Sequence, residues 1–173
     1  MEARAMQQVL LFVDDIYEDM ELWYPKFRME EAGFKPIIAG PEAGKTYVGK
    51  HGYPCKADIA YDQVQPNQFA ALIIPGGYAP DKMRRYVKAL EIVRQLDGAK
   101  KPIAFICHGG WVPISAKILK GKKVTGFMAI KDDLENAGAH YSDKAVVIDG
   151  HLISSRTPAD LPQFCQAILE LLR

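Results

Sequence analysis

Apolar positions in this chain fall into short unbroken runs separated by stretches of helical period. "QVLLFVD" (8–14), "KPIIAG" (35–40), "FAALIIPGG" (69–77) and "PIAFIC" (102–107) read as strands covered on both faces of a parallel sheet. Between the first two, "EDMELWYPKFRMEEAG" (18–33) repeats Met20, Trp23 and Phe27 at helical spacing and stops at Gly33, with Pro25 expected to kink it or delay its start. "DKMRRYVKALEIVRQLDGAK" (81–100) predicts one amphipathic helix. "GWVPISAKILKG" (110–121) predicts a second, with Pro113 in its first turn, and "IKDDLENAGA" (130–139) a third. The glycine-punctuated alternation over 45–64 predicts an antiparallel excursion, and "AVVIDGHLISSR" (145–156) a hairpin turning at Asp149-Gly150. The last helix is expected to open with Thr157 as N-cap, Pro158 at its first position and Asp160 at its third.

Strand alternating with helix predicts a doubly wound α/β fold with a mostly parallel central sheet, and the length of 173 residues suits a single domain over 1–173. In such folds ligands bind beyond the carboxyl ends of the strands. Three of those ends are chemically rich: Asp14–Glu18, Gly76-Gly77 and Cys107-His108-Gly109. Their convergence is the sequence's main pointer to a site.

Composition narrows the partners. With 49% hydrophobic and 25% charged residues and a net charge of +1, the chain has the balance of a globular domain and no basic excess for nucleic acid. Lys117, Lys120, Lys122 and Lys123 read as a solvated helix end. The Val9–Val13 run is too short for a signal core, and no run nears the roughly 18 apolar residues of a membrane span. Three widely spaced cysteines make no disulfide framework, which points to the reducing cytoplasm.

Cys107 stands out because a strand-to-helix turn followed by glycines resembles a nucleophile elbow, and the helix start favours a thiolate. Cys55 and Cys165 lack that setting. The His108 side chain is expected to point away from its neighbour, since consecutive residues at an elbow diverge, while its backbone N–H and that of Gly77 face a developing oxyanion. One carboxyl of the acidic run Asp14, Asp15, Glu18, Asp19 and Glu21 is expected across the crevice, protonated and hydrogen-bonded to the sulfur. No metal or cofactor is expected: there is no C-x-x-C or H-E-x-x-H, and His51, His108, His140 and His151 are scattered.

"YEDMEL" (17–22), "GKHGY" (49–53), "IIPGGYAPD" (73–81), "ICHGG" (106–110), "ISAKILKGKKVT" (114–125), "IKDDLENAGA" (130–139) and "ISSRTPADL" (153–161) together resemble the PfpI-like intracellular cysteine peptidase family of the DJ-1/PfpI superfamily, in register from Gln8 to Leu172. The resemblance implies a flavodoxin-like three-layer sandwich of the class I glutamine amidotransferase type, assembled as homodimers or hexamers. It makes Cys107 the nucleophile and Glu18 the carboxyl touching it, and gives the backbone N–H groups of Gly77 and His108 to the oxyanion. It further implies that His108 is oriented by Asp81 of a neighbouring subunit. Against the family pattern, Asp81 is shorter than the glutamate found in some members, Phe105 is bulkier than the usual Ala or Ser, and Gly110-Trp111 replaces the common Pro-Gln.

The favoured activity is attack on a small reactive carbonyl, of the deglycase or glyoxalase type acting on methylglyoxal or early glycation adducts, in a stress-related cytoplasmic enzyme. The runner-up is a PfpI-type peptidase with a peptide substrate. A non-enzymatic redox sensor or holdase is the alternative of another class. A phosphate-binding flavodoxin-like module is disfavoured, because Asp14 and Asp15 follow the first strand where a phosphate loop would lie.

Overall fold

The computed structural model describes residues 6–173; residues 1–5, on which part of the expectation about targeting falls, lie outside the described residues. The first half runs β1 (Gln8–Phe12), α1 (Asp19–Glu31), β2 (Lys35–Gly40), β3 (Thr46–Val48), β4 (Pro54–Lys56), β5 (Ile59–Ala60) and β6 (Phe69–Ile74). The second runs α2 (Ala79–Met83), α3 (Val87–Gly98), β7 (Ile103–Ile106), α4 (Trp111–Ser115), β8 (Lys123–Val124), α5 (Lys131–Asn136), β9 (His140–Tyr141), β10 (Val146–Asp149), β11 (Leu152–Ser155) and α6 (Leu161–Leu172).

Seven strands form the central sheet in the order β10-β11-β7-β6-β1-β2-β5, parallel except for the antiparallel edge strand β10. The central strands are apolar on both faces because both are covered: Val9–Phe12, Ala71–Ile74 and Ile103–Ile106 are wholly buried. From β1 the chain crosses one way to β2, and from β6 the other way to β7. Right-handed crossovers therefore place α1 and α3 on opposite faces. That reversal makes a switch point, with its crevice beyond the carboxyl ends of β1, β6 and β7. The fold is the doubly wound α/β sandwich that the pattern predicts, flavodoxin-like and of the class I glutamine amidotransferase type as the family resemblance implies. The 45–64 excursion is the β3–β4 hairpin, antiparallel as expected, followed by the short parallel strand β5.

Several local expectations give way to packing. α1 runs unbroken through Pro25, and its buried face is Glu21, Leu22, Pro25 and Met29. Met20 and Phe27 are instead 55% and 53% exposed. The Trp23 indole donates to the Tyr17 hydroxyl, which donates to the Tyr53 carbonyl, so Trp23 is turned toward the hairpin rather than the sheet. The single helix over 81–100 is two helices, parted at Arg84–Tyr86 where Tyr86 turns extended (φ −90°, ψ 114°). α4 is short, ending before Lys117, which sits at φ +64°.

At the hairpin Asp149 pairs with Leu152, so the turn residues are Gly150 and His151, one place later than expected. Pro158–Asp160 form a 3-10 turn before α6, and the Thr157 side chain makes no capping bond. The Asp160 carboxylate is taken by Arg156 at 2.8 and 3.0 Å. No described helix is long and apolar enough to cross a membrane.

Candidate active site

Three loops meet in the crevice and are tied by backbone bonds. Ile16, at φ +64°, turns its carbonyl to accept the N–H groups of Tyr78 and Ala79 at 2.8 and 3.2 Å. The Glu18 N–H donates to the Gly76 carbonyl at 3.1 Å. These bonds lock the start of α1 against the Gly76-Gly77 loop. Cys107 stands at the end of β7 with φ +60°, a strained conformation for a residue with a side chain. The chain leaves it through a 3-10 turn over Cys107–Gly110 into α4, the sharp elbow expected from the glycines.

Gly76 is required by the closeness of this site. A Cβ there would lie 2.5 Å from Oε2 of Glu21 and 2.8 Å from Cβ of Cys107. The Gly76 N–H donates to Oε2 of Glu21 at 2.7 Å. The carboxyl beside the thiol is therefore Glu21, inside the first turn of α1, and not Glu18. Residue 18 precedes the helix with extended backbone (ψ 114°), so its side chain leaves in another direction. Glu18 is still buried, at 3% exposed, and its Oε2 accepts the Lys50 ammonium at 2.6 Å.

Protonation follows burial. Glu21 is pushed up to about 8, first by loss of solvent and then by repulsion from Glu18, against the lowering effect of the Gly76 N–H. It carries its proton at neutral pH, as the sequence expects of a carboxyl facing the thiol. The Cys107 thiol is pushed up to about 12 by burial and by an ionised Glu21, while the backbone N–H groups of His108 and Gly77 and the Lys50 ammonium pull it down. The helix start thus does not hold the sulfur ionised unaided, contrary to the expectation from sequence. The repulsive part disappears while Glu21 is protonated. Cys55 and Cys165 are buried in the core and are also pushed up to about 12.

The imidazole of His108 corrects a second expectation. Its Nδ1 lies 3.2 Å from Sγ of Cys107, so the ring bends back to its neighbour. The left-handed backbone at Cys107 brings the two side chains together. Trp111 and Phe127 hold the ring at centroid distances of 5.0 and 4.9 Å. Burial lowers the His108 pKa, as does Lys50 more weakly, which keeps the imidazole neutral and able to accept a proton.

Asp81 is placed on α2, where its carboxylate pairs with Arg85 one turn on, and within this chain it is not brought to His108. Phe105 is wholly buried beneath the elbow and packs toward Gly110 instead of crowding the thiol. Trp111 lines the cavity and donates its indole N–H to Asp133 at 2.9 Å. The cavity over Cys107 measures about 350 Å³, with Glu18, Glu21, Lys50, Gly77, His108 and Phe127 among its lining.

A model of the DJ-1/PfpI family matches residues 7–171. The chain belongs to the DJ-1/PfpI family. It is 45% identical over 166 residues to the Pyrococcus horikoshii protein named deglycase PH1704, covering 96% of this chain and 99% of that one. It is 41% identical over 167 residues to Bacillus subtilis YraA, named a putative cysteine protease, again covering 96% and 99%. Among solved structures it superposes with TM-score 0.93 and 40% identity on a two-domain protein of Anabaena variabilis with DJ-1/ThiJ/PfpI-like and ferritin-like domains. That match covers 95% of this chain and 47% of that one.

In this DJ-1/PfpI-family chain the structure puts Glu21 beside the thiol where the sequence pointed to Glu18, and brings Lys50, which sequence reasoning did not single out, to the cavity. Both signals were present. Leu22, Pro25 and Met29 form a second apolar stripe on α1, and Glu21 is the carboxyl on that stripe. Lys50 lies in the quoted "GKHGY" segment.

The consecutive Glu18 and Asp19, with His51 from the β3–β4 hairpin, bring potential ligand atoms within 4.8 Å of one another. Three of these oxygens are already engaged, Oε2 of Glu18 by Lys50 and the two Asp19 oxygens by the N–H groups of His51 and Tyr53 at 3.0 Å each. The cluster fastens the β3–β4 hairpin to α1.

Proposed function

We propose that this protein is a cysteine-dependent enzyme that attacks carbonyl carbon, of the deglycase or glyoxalase type acting on methylglyoxal or its early adducts. The observation that carries the reading is Cys107 at φ +60° with a neutral imidazole nitrogen 3.2 Å from its sulfur. His108 takes the thiol proton and the sulfur adds to the aldehyde carbon, forming a C–S bond while the carbonyl π pair moves to oxygen. The N–H groups of Gly77 and His108, both turned toward the sulfur, stabilise that oxygen, which takes a proton to complete a hemithioacetal. The hydrogen on the former aldehyde carbon leaves as a proton and one returns to the adjacent carbon, giving an enzyme thioester. Water hydrolyses the thioester to a 2-hydroxy acid and frees the thiol. The oxidation of one carbon balances the reduction of the next, so the sequence needs no external oxidant.

A cavity of about 350 Å³ supports a small substrate over a peptide. The test sets methylglyoxal turnover against cleavage of a fluorogenic peptide, with wild type and Cys107→Ala. Methylglyoxal loss that depends on Cys107 supports the reading. Peptide cleavage alone makes the protein a peptidase, and oxidant reactivity without either turnover makes it a redox sensor.

We further propose that the protein acts as a homodimer or hexamer. The support is the exposed Met20, Phe27 and Tyr53 beside the site, with the half-buried Trp23 among them, an apolar surface of the kind that subunits cover. In that assembly Asp81 of a neighbouring subunit approaches His108. Three unpaired cysteines suit a reducing compartment such as the cytoplasm.

A further inference from the structure

The cavity over Cys107 contains a cation that the proposed chemistry does not use. Lys50 Nζ is fixed at 2.6 Å from Oε2 of Glu18. The two differ sharply in depth: the Glu18 side chain is 4% exposed and that of Lys50 44%. The carboxylate therefore sits behind and the ammonium in front. A molecule entering the cavity meets the ammonium first.

The placement is rigid. The Lys50 N–H donates to the Tyr17 carbonyl at 2.9 Å, and the turn that follows is held by Asp19 through the N–H groups of His51 and Tyr53. An ammonium has three donors, and Glu18 engages one. Oε1 of Glu18 is buried with no hydrogen-bond partner among the described residues, so this carboxylate depends on Lys50 for its compensation. Other titratable groups of the cavity carry no opposing charge at neutral pH, since Glu21 is protonated and His108 is neutral.

Resting on the proposed carbonyl chemistry and deepening it, we propose that Lys50, positioned by Glu18, is the specificity-determining residue that selects dicarbonyl substrates bearing a carboxylate next to the reacting pair of carbons. The N–H groups of Gly77 and His108 serve the carbonyl oxygen while the remaining ammonium donors serve the carboxylate. The smallest such substrate is OHC–CO–COO−: the aldehyde carbon adds the sulfur, the neighbouring keto carbon receives the proton, and thioester hydrolysis gives a 2-hydroxy diacid whose new carboxylate the same ammonium would hold.

Iodoacetate and iodoacetamide test this without relying on turnover. Both alkylate a thiolate with loss of iodide and are nearly equal in size, and only one is anionic. The readout is the ratio of their rates at Cys107, followed by mass spectrometry of the whole chain and normalised to the same ratio for glutathione. In wild type the normalised ratio should exceed one. It should fall about tenfold in Lys50→Gln, as expected for loss of a charge a few ångströms away in a partly solvated cavity, and be largely kept in Lys50→Arg.

An unchanged ratio in Lys50→Gln, with both reagents slowed alike, would mean that Lys50 serves only the thiol, and the proposal fails. Because Lys50→Gln strands a buried carboxylate, the double variant Glu18→Gln/Lys50→Gln provides the same comparison if the single one does not fold. A second arm measures kcat/KM for 2,3-dioxopropanoate (OHC–CO–COO−) and for methylglyoxal, which carries a methyl group in place of the carboxylate. Selective loss of 2,3-dioxopropanoate turnover in Lys50→Gln supports the proposal, and equal loss of both overturns it. If wild type turns over neither, the carbonyl reading falls while the alkylation ratio still decides whether Lys50 recognises anions.

Discussion

Nδ1 of His108 lies 3.2 Å from Sγ of Cys107, so two consecutive residues make the contact that a nucleophile makes with its base. Adjacent side chains meet in this way because Cys107 is held at φ +60° between β7 and the turn that follows. His108→Gln removes the proton acceptor and should slow turnover of the accepted carbonyl about 100-fold, with the unfolding midpoint little changed. Cys107→Ala should abolish it. Turnover in His108→Gln equal to wild type would assign the base elsewhere.

Glu21 ties activity and stability to pH. Its carboxyl is raised from 4.5 to about 8, so the folded chain holds a proton that the unfolded chain releases. Its stabilising contribution is complete below about pH 4.5 and is lost as pH rises through about 8, with a slope on the order of 1 kcal/mol per pH unit between. Urea unfolding of Glu21→Gln across pH 5 to 8 should lack this fall, because an amide does not titrate. If both proteins show the same slope, the proton is not on Glu21.

The thiol should respond to the same residue. An ionised Glu21 repels a thiolate, so the iodoacetamide rate profile of Cys107 should shift toward lower pH in Glu21→Gln. Glu21→Ala should slow turnover further than Glu21→Gln, since an amide N–H still reaches the sulfur. A profile moved by Glu18→Gln and not by Glu21→Gln would restore the assignment drawn from sequence.

At Gly76 a methyl group would press on Glu21 and Cys107 at once. Gly76→Ala should therefore destabilise by about 1–3 kcal/mol, the range for an overpacked interior, and should cost activity more than stability. Chemical denaturation with parallel turnover checks it. Full activity would show that the loop yields without moving either side chain.

For assembly, Phe27→Glu places a charge on the exposed α1 face and should shift the mass in sedimentation toward the monomer, with circular dichroism unchanged. Asp81→Asn and Cys107→Ala should each be inactive alone and recover part of the activity after subunit exchange, because a mixed oligomer contains sites with both intact groups. Native mass spectrometry establishes the exchange. Exchange without recovery would place Asp81 within its own chain, where it pairs with Arg85.

What the sequence alone determined rests on periodicity and local stereochemistry. Apolar runs at 9–13, 69–77 and 102–107 imply strands covered on both faces, and alternation with helices implies a parallel sheet whose carboxyl ends bear the chemistry. The elbow was legible for the same reason: a cysteine at the end of a strand, followed at once by glycines, has few conformations open to it. Tertiary structure decided which face of α1 turns inward, because the stripe through Met20 and Phe27 and the one through Leu22, Pro25 and Met29 are both apolar. That choice carried Glu21 to the thiol and left Glu18 to Lys50. Lys50 itself arrives on a hairpin 32 residues along the chain from Glu18, across a loop whose path no local pattern specifies. The protonation states were likewise a tertiary matter, since desolvation acts on a carboxyl or a thiol only once other elements have closed around it.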